Sequence, residues 1–76
     1  MTQENPIKAA FLEMAPNLNA AARKLGLNES SFRRLMRGIP PYLPASIGKR
    51  MVAAGMDPRR VEETALQYLA WRKPAR

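Results

Sequence analysis

A chain of 76 residues makes one small domain, 1–76, which buries only about 60% of the surface its unfolded form exposes and leaves little room for an enclosed active site. Thirteen lysines and arginines against six acids give a net charge of +7, which favours polyanionic partners through long-range attraction and counterion release. Cysteine and histidine are absent, so disulfides, thiolate ligands, a nucleophilic thiol and an imidazole base are excluded together.

The first predicted element opens at Asn5-Pro6. The Asn side chain can cap free amide groups, and Pro at the first helical position gives up no hydrogen bond. Ile7, Ala10, Phe11 and Met14 then fall at i, i+3, i+4 and i+7, one apolar stripe on a helix that Pro16 cannot continue. Asn17 can cap a second, short helix, in which Leu18, Ala21, Ala22 and Leu25 repeat that spacing before Gly26 ends it. Asn28 can cap a third helix, whose inner face is Phe32, Leu35 and Met36 and whose terminator is Gly38.

The run 39–44 holds three prolines in six residues, too many missing amide donors for a helix or an interior strand, and reads as an extended connector. A fourth helix is expected from about Ala45 to Ala54, with Ile47 and Met51 inward and a stop at Gly55. Asp57-Pro58 repeats the opening of the first helix and starts a fifth, expected over 58–73, with Val61, Ala65, Tyr68 and Leu69 on one side and an end before Pro74. No segment alternates with period two, so the chain is all-α with about five short helices.

Catalysis has little to work with. The acids Glu4, Glu13, Glu29, Asp57, Glu62 and Glu63 are scattered, and the two that are adjacent point about 100° apart on a helix rather than at one substrate atom. No metal-ligand spacing, triad or phosphate-cradling glycine loop occurs. No enzyme, cofactor, metal or small-molecule ligand is therefore expected. No apolar run approaches the roughly 18 residues of a membrane span, and none of signal type follows Met1, so the chain reads as cytoplasmic with no membrane partner.

Two short helices joined by a three- or four-residue turn containing glycine form the helix-turn-helix pattern, in which the second helix enters the major groove of DNA and the first braces it. The stretch NLNAAARKLGLNESSFRRLMRG resembles the helix-turn-helix of bacterial and phage transcription regulators, both the Cro and lambda-repressor-like group and the Fis-type segment. The likeness covers about 22 of the 76 residues and is carried by Ala22, Leu25, Gly26, Leu27, Phe32 and Leu35. Outside the motif the match is architectural: one helix before it and two after resemble the lambda-repressor-like arrangement, from which the Pro-rich connector departs.

This resemblance implies a sequence-specific DNA-binding domain, nucleoid-associated, with its motif over 18–37 and its base-reading helix at 29–37. Asn28, Glu29, Ser30, Arg33 and Arg34 occupy the positions that meet base edges, and Ser31 and Arg37 lie near enough to touch backbone. An Arg fork can bond guanine O6 and N7 together, and Asn can do the same for adenine. Glu29 can accept from a cytosine amino group, or simply favour the positive end of the helix dipole with no DNA present. Asn17 and Asn19 stand where the family contacts phosphate, and Asn17 is equally suited to capping alone. Arg23, Lys24, Arg59, Arg60, Arg72 and Lys73 are either phosphate contacts or solvated charges.

Helix five has more apolar surface than one side of a small core uses. Val61, Leu66, Leu69 and Trp71 are assigned to a homodimer contact, with the alternative that Trp71 closes the core of a single chain. A dimer suits a palindromic operator, because two-fold proteins place two recognition helices about 34 Å apart. The leading expectation is a dimeric repressor of phage or mobile-element type acting on double-stranded DNA. An architectural or recombination-control DNA binder, and a phage-type inhibitor using the basic helix on an acidic protein surface, are the alternatives.

Overall fold

The structure, a computed structural model, describes residues 4–72. Its elements are five helices, α1 (Pro6–Met14), α2 (Leu18–Lys24), α3 (Glu29–Arg37), α4 (Ala45–Ala53) and α5 (Pro58–Arg72), and the described residues hold no strand. The all-α expectation is met, with boundaries close to those read from the caps. The expected tail of the fifth helix, Lys73 and the stop before Pro74, lies outside the described residues.

Three asparagines start three of these helices by one mechanism: Oδ1 of Asn5 accepts from the Ile7 amide, that of Asn17 from Ala20, and that of Asn28 from Ser31, at 2.7–2.9 Å. Packing then follows the apolar stripes. Ile7, Ala10 and Phe11 of α1, Ala21 of α2 with Leu25 at its end, Leu35 of α3, Ile47 and Met51 of α4, and Val61 and Tyr68 of α5 belong to one buried cluster. The α1 helix lies against both α2 and α5, and α4 lies against α5.

Two details of the inner faces differ from the periodicity. Thr64, which no hydrophobic stripe includes, is fully buried on α5; its hydroxyl donates to the Arg60 carbonyl at 2.8 Å and accepts from the Arg60 guanidinium at 3.0 Å. Leu69, placed on the inner stripe by spacing, is instead 42% exposed. A 15-residue helix drifts around its neighbours, so the stripe that starts at Val61 continues through Thr64, Tyr68 and Trp71 and leaves Leu69 outside.

The connector 39–44 is irregular, as its prolines require, yet it is tied down at both ends. Leu43 is buried in the core, and the Tyr68 hydroxyl donates to the Pro40 carbonyl at 2.6 Å.

Candidate nucleic-acid interface

The turn between α2 and α3 is built by backbone chemistry. Gly26 stands at φ +69°, its amide donates to the Arg23 carbonyl, and the Leu27 amide reaches back to Ala22 at 2.9 Å. This pair of bonds closes α2, and a side chain at Gly26 would be strained in that left-handed conformation. From α4, Arg50 donates through Nη1 to the Leu25 and Gly26 carbonyls at 2.9 and 3.0 Å, placing a cation on the negative end of α2. Sequence reasoning missed Arg50, because nothing local separates it from a solvated charge.

The same kind of closure ends α3. Gly38 stands at φ +74°, with its amide on Leu35 and the Ile39 amide on Arg34. The side chains that hold this end come from both termini of the fold: Asn5 Nδ2 donates to the Leu35 and Met36 carbonyls at 2.9 and 3.2 Å, and Arg72 Nε donates to the Gly38 carbonyl. Trp71 lies over Gly38, where a Cβ would come within 2.5 Å of its ring, and packs at 5.8 Å from the Tyr68 ring.

Held in this way, α3 has one side in the core and one in solvent. Leu35 is buried, Met36 is half-buried, and the half-buried Phe32 stacks on Phe11 with ring centroids 6.5 Å apart. Asn28, Glu29, Ser30, Ser31, Arg33, Arg34 and Arg37 are all exposed, so every position of α3 expected to meet DNA is accessible. Asn17 and Asn19 at the start of α2 are exposed too, with Oδ1 of Asn17 already used as a cap. Asn28 and Ser31 border a groove of about 300 Å³ shared with Ser46 and Arg50 of α4.

The arginines of α3 differ in their partners. Arg33 Nη2 meets Glu29 Oε2 at 2.8 Å, whereas Arg34 and Arg37 make no ion pair among the described residues. An exposed i,i+4 pair of this kind contributes only about 0.3–0.5 kcal/mol to the helix.

Several cations suggested for phosphate contact have other work in the fold. Arg60 meets Glu13 at 2.7 Å and Glu63 at 3.4 Å, linking α5 to α1. The hydrogen bond and charge of Arg60 hold the Glu13 carboxyl below its ordinary range, and the same bond raises Arg60 further. Lys24 Nζ donates to the Met14 carbonyl at 2.9 Å, and Arg72 is committed to the end of α3. Arg23 and Arg59 remain exposed, and Lys73 lies outside the described residues.

The expected dimer surface on α5 needs correction at Val61. Val61 is buried in the core of the single chain, with its Cγ1 close to the backbone of Gly48 in α4, and cannot also present itself to a second copy. Trp71 is half-buried against Gly38 and Tyr68, which agrees with the alternative that it closes the core. Leu66 and Leu69 are exposed, at 63% and 42%.

Among the described residues no group of acids is placed to hold a metal ion, and no helix is long and apolar enough to cross a membrane. The chain matches no known family model, no curated protein and no solved structure.

Proposed function

We propose that this chain is a sequence-specific DNA-binding regulator whose α3 reads base edges in the major groove. The observation that carries the reading is the two-sidedness of α3: Phe32 and Leu35 fasten it to the core while Ser30, Arg33, Arg34 and Arg37, with Asn28 at its start, are exposed on a +7 chain. Phosphate contacts from Asn17, Asn19, Ser31 and Arg37 set its register, and Arg33 and Arg34 supply the guanine-reading forks.

On this reading the chain is a repressor that occludes a promoter, of the type carried by phages and mobile elements, and it works at the nucleoid. Leu66 and Leu69 on the outer side of α5 are the residues that pair two copies on a palindromic operator.

The test is a selection of binding sites from random duplexes, followed by Arg34→Ala on the recovered site. The substitution is expected to weaken specific binding by about 1–3 kcal/mol and leave the weak binding to random DNA nearly unchanged. An equal loss on both duplexes would replace this reading with an architectural DNA binder. Failure to retard any duplex at about 100 mM salt, where phosphate contacts still hold, would turn attention to an acidic protein surface.

A further inference from the structure

The exposed side of α3 carries one acid, and it stands among the groups proposed to meet a polyanion. Glu29 is not needed to hold the helix. Asn28 caps its start, Phe32 and Leu35 anchor its middle, and Asn5 and Arg72 bind its final carbonyls. With side chains 82% and 64% exposed, Glu29 and Arg33 form a pair that adds little to folding, yet a carboxylate in this place opposes every phosphate that approaches. Among the described residues its specific contact is Nη2 of Arg33. Arg34, the next residue, has no such support among the described residues.

We propose that Glu29 is a positioning residue that presets Arg33 to read guanine, so that the two side chains act as one base-reading unit; this rests on the DNA-reading function argued above. The bond to Glu29 uses one N–H of Nη2. The second N–H of Nη2 and those of Nη1 and Nε remain, in the planar fork that guanine O6 and N7 accept. A guanidinium already tethered one turn away loses less rotamer freedom when it meets its base. The carboxylate also acts against wrong sites. Where Arg33 finds no guanine, the charge of Glu29 lies near DNA with nothing gained in return, and binding to random sequence falls. Selectivity then comes from both the favoured contact and the penalty.

The experiment compares the full chain with Glu29→Ala, Glu29→Gln, Arg33→Ala and the double variant Glu29→Ala/Arg33→Ala, by anisotropy titration on three kinds of duplex: the selected site, a series of that site with each guanine replaced in turn, and a random sequence. Glu29→Ala is expected to bind the random duplex roughly three- to tenfold more tightly and to lose about tenfold in preference for guanine at one position, the position that Arg33→Ala also affects. In the Arg33→Ala background, removing Glu29 leaves base preference unchanged. Glu29→Gln, whose amide oxygen can still accept from Arg33, retains part of the preference while losing the charge. A purely structural role would move the thermal midpoint and leave the base preference of Glu29→Ala intact, which overturns the proposal. If the unaltered chain is selective and Glu29→Ala is equally selective at every position, this inference fails alone. Should the unaltered chain bind all duplexes alike, the DNA-reading function fails with it.

Discussion

Asn5 and Leu35 lie 30 residues apart in the chain and 2.9 Å apart in the fold, where the Asn5 carboxamide donates to the Leu35 carbonyl. The same side chain accepts from the Ile7 amide, so one buried group starts α1 and secures the last turn of α3.

This double use separates the substitutions at Asn5. Losing a cap costs about 1 kcal/mol, and leaving buried carbonyls unpaired costs about 1–3 kcal/mol more, so Asn5→Ala is expected to lose about 2–4 kcal/mol in urea unfolding. Asn5→Ser keeps the cap and should recover about 1 kcal/mol of that. Asn5→Asp is the informative variant: aspartate caps as well as asparagine, yet here its carboxylate would face the Leu35 oxygen. It is expected to be at least as damaging as alanine; wild-type stability for Asn5→Asp would show that only the cap matters.

The contact of Gly38 with Trp71 gives a second prediction. A Cβ at Gly38 meets both a left-handed backbone and the indole ring 2.5 Å away. The backbone accounts for about 1–2 kcal/mol and the displaced ring for about 1–3. Gly38→Ala in a Trp71→Ala background should therefore cost only the backbone share. A double-mutant cycle from denaturant midpoints is the measurement, and strict additivity would place the ring elsewhere in solution.

Acid should loosen the link between α1 and α5. Glu13 is held below its ordinary pKa by Arg60, so its contribution to stability is present above the unfolded-state value of 4.5 and is lost as pH falls through the lower folded-state value. Glu13→Gln is expected to flatten the stability profile below pH 4.5 and leave the neutral-to-basic slope unchanged. The opposite end of the scale belongs to Tyr68, whose burial raises its phenol; stability is complete below pH 10 and declines as pH rises through the higher folded-state value. An acid limb identical in the unaltered chain and Glu13→Gln would assign acid sensitivity to other carboxylates.

Leu66 and Leu69 test the pairing of copies cleanly because they are exposed. Replacing both with glutamate should leave unfolding within about 0.5 kcal/mol of the original while shifting sedimentation mass at micromolar concentration from dimer to monomer. Trp71 is unsuitable for this purpose, since its removal also uncovers Gly38 and Tyr68. An unchanged mass would remove α5 from the interface.

What could be read from the sequence is what is encoded within a few residues. Asn17 and Asn28 find their amide partners three positions on, Asp57 caps the start of α5, and Gly26 and Gly38 close helices through bonds to the preceding turn, whereas α4 begins at Pro44 with no side-chain cap. The outward set on α3 follows from the same short-range geometry once Phe32 and Leu35 are inward. Long-range use of polar groups was not legible. Arg50, Arg60 and Arg72 look alike in sequence, and only the approach of another element turns them into bonds on Gly26, Glu13 and Gly38. Val61 falls on the inner stripe of α5 by its spacing and is buried there, so its second assignment, to a dimer contact, is the one that the packing removes.

Arg50 and Arg72 reach the ends of α2 and α3 from helices that follow them in the chain. A peptide cut to 17–38 would therefore lack its clamps and fray at both carboxyl ends. Transplanting α3 onto another scaffold would carry over its exposed side chains without the bonds that aim them, so a chimera that keeps their orientation must import residues from the downstream helices as well.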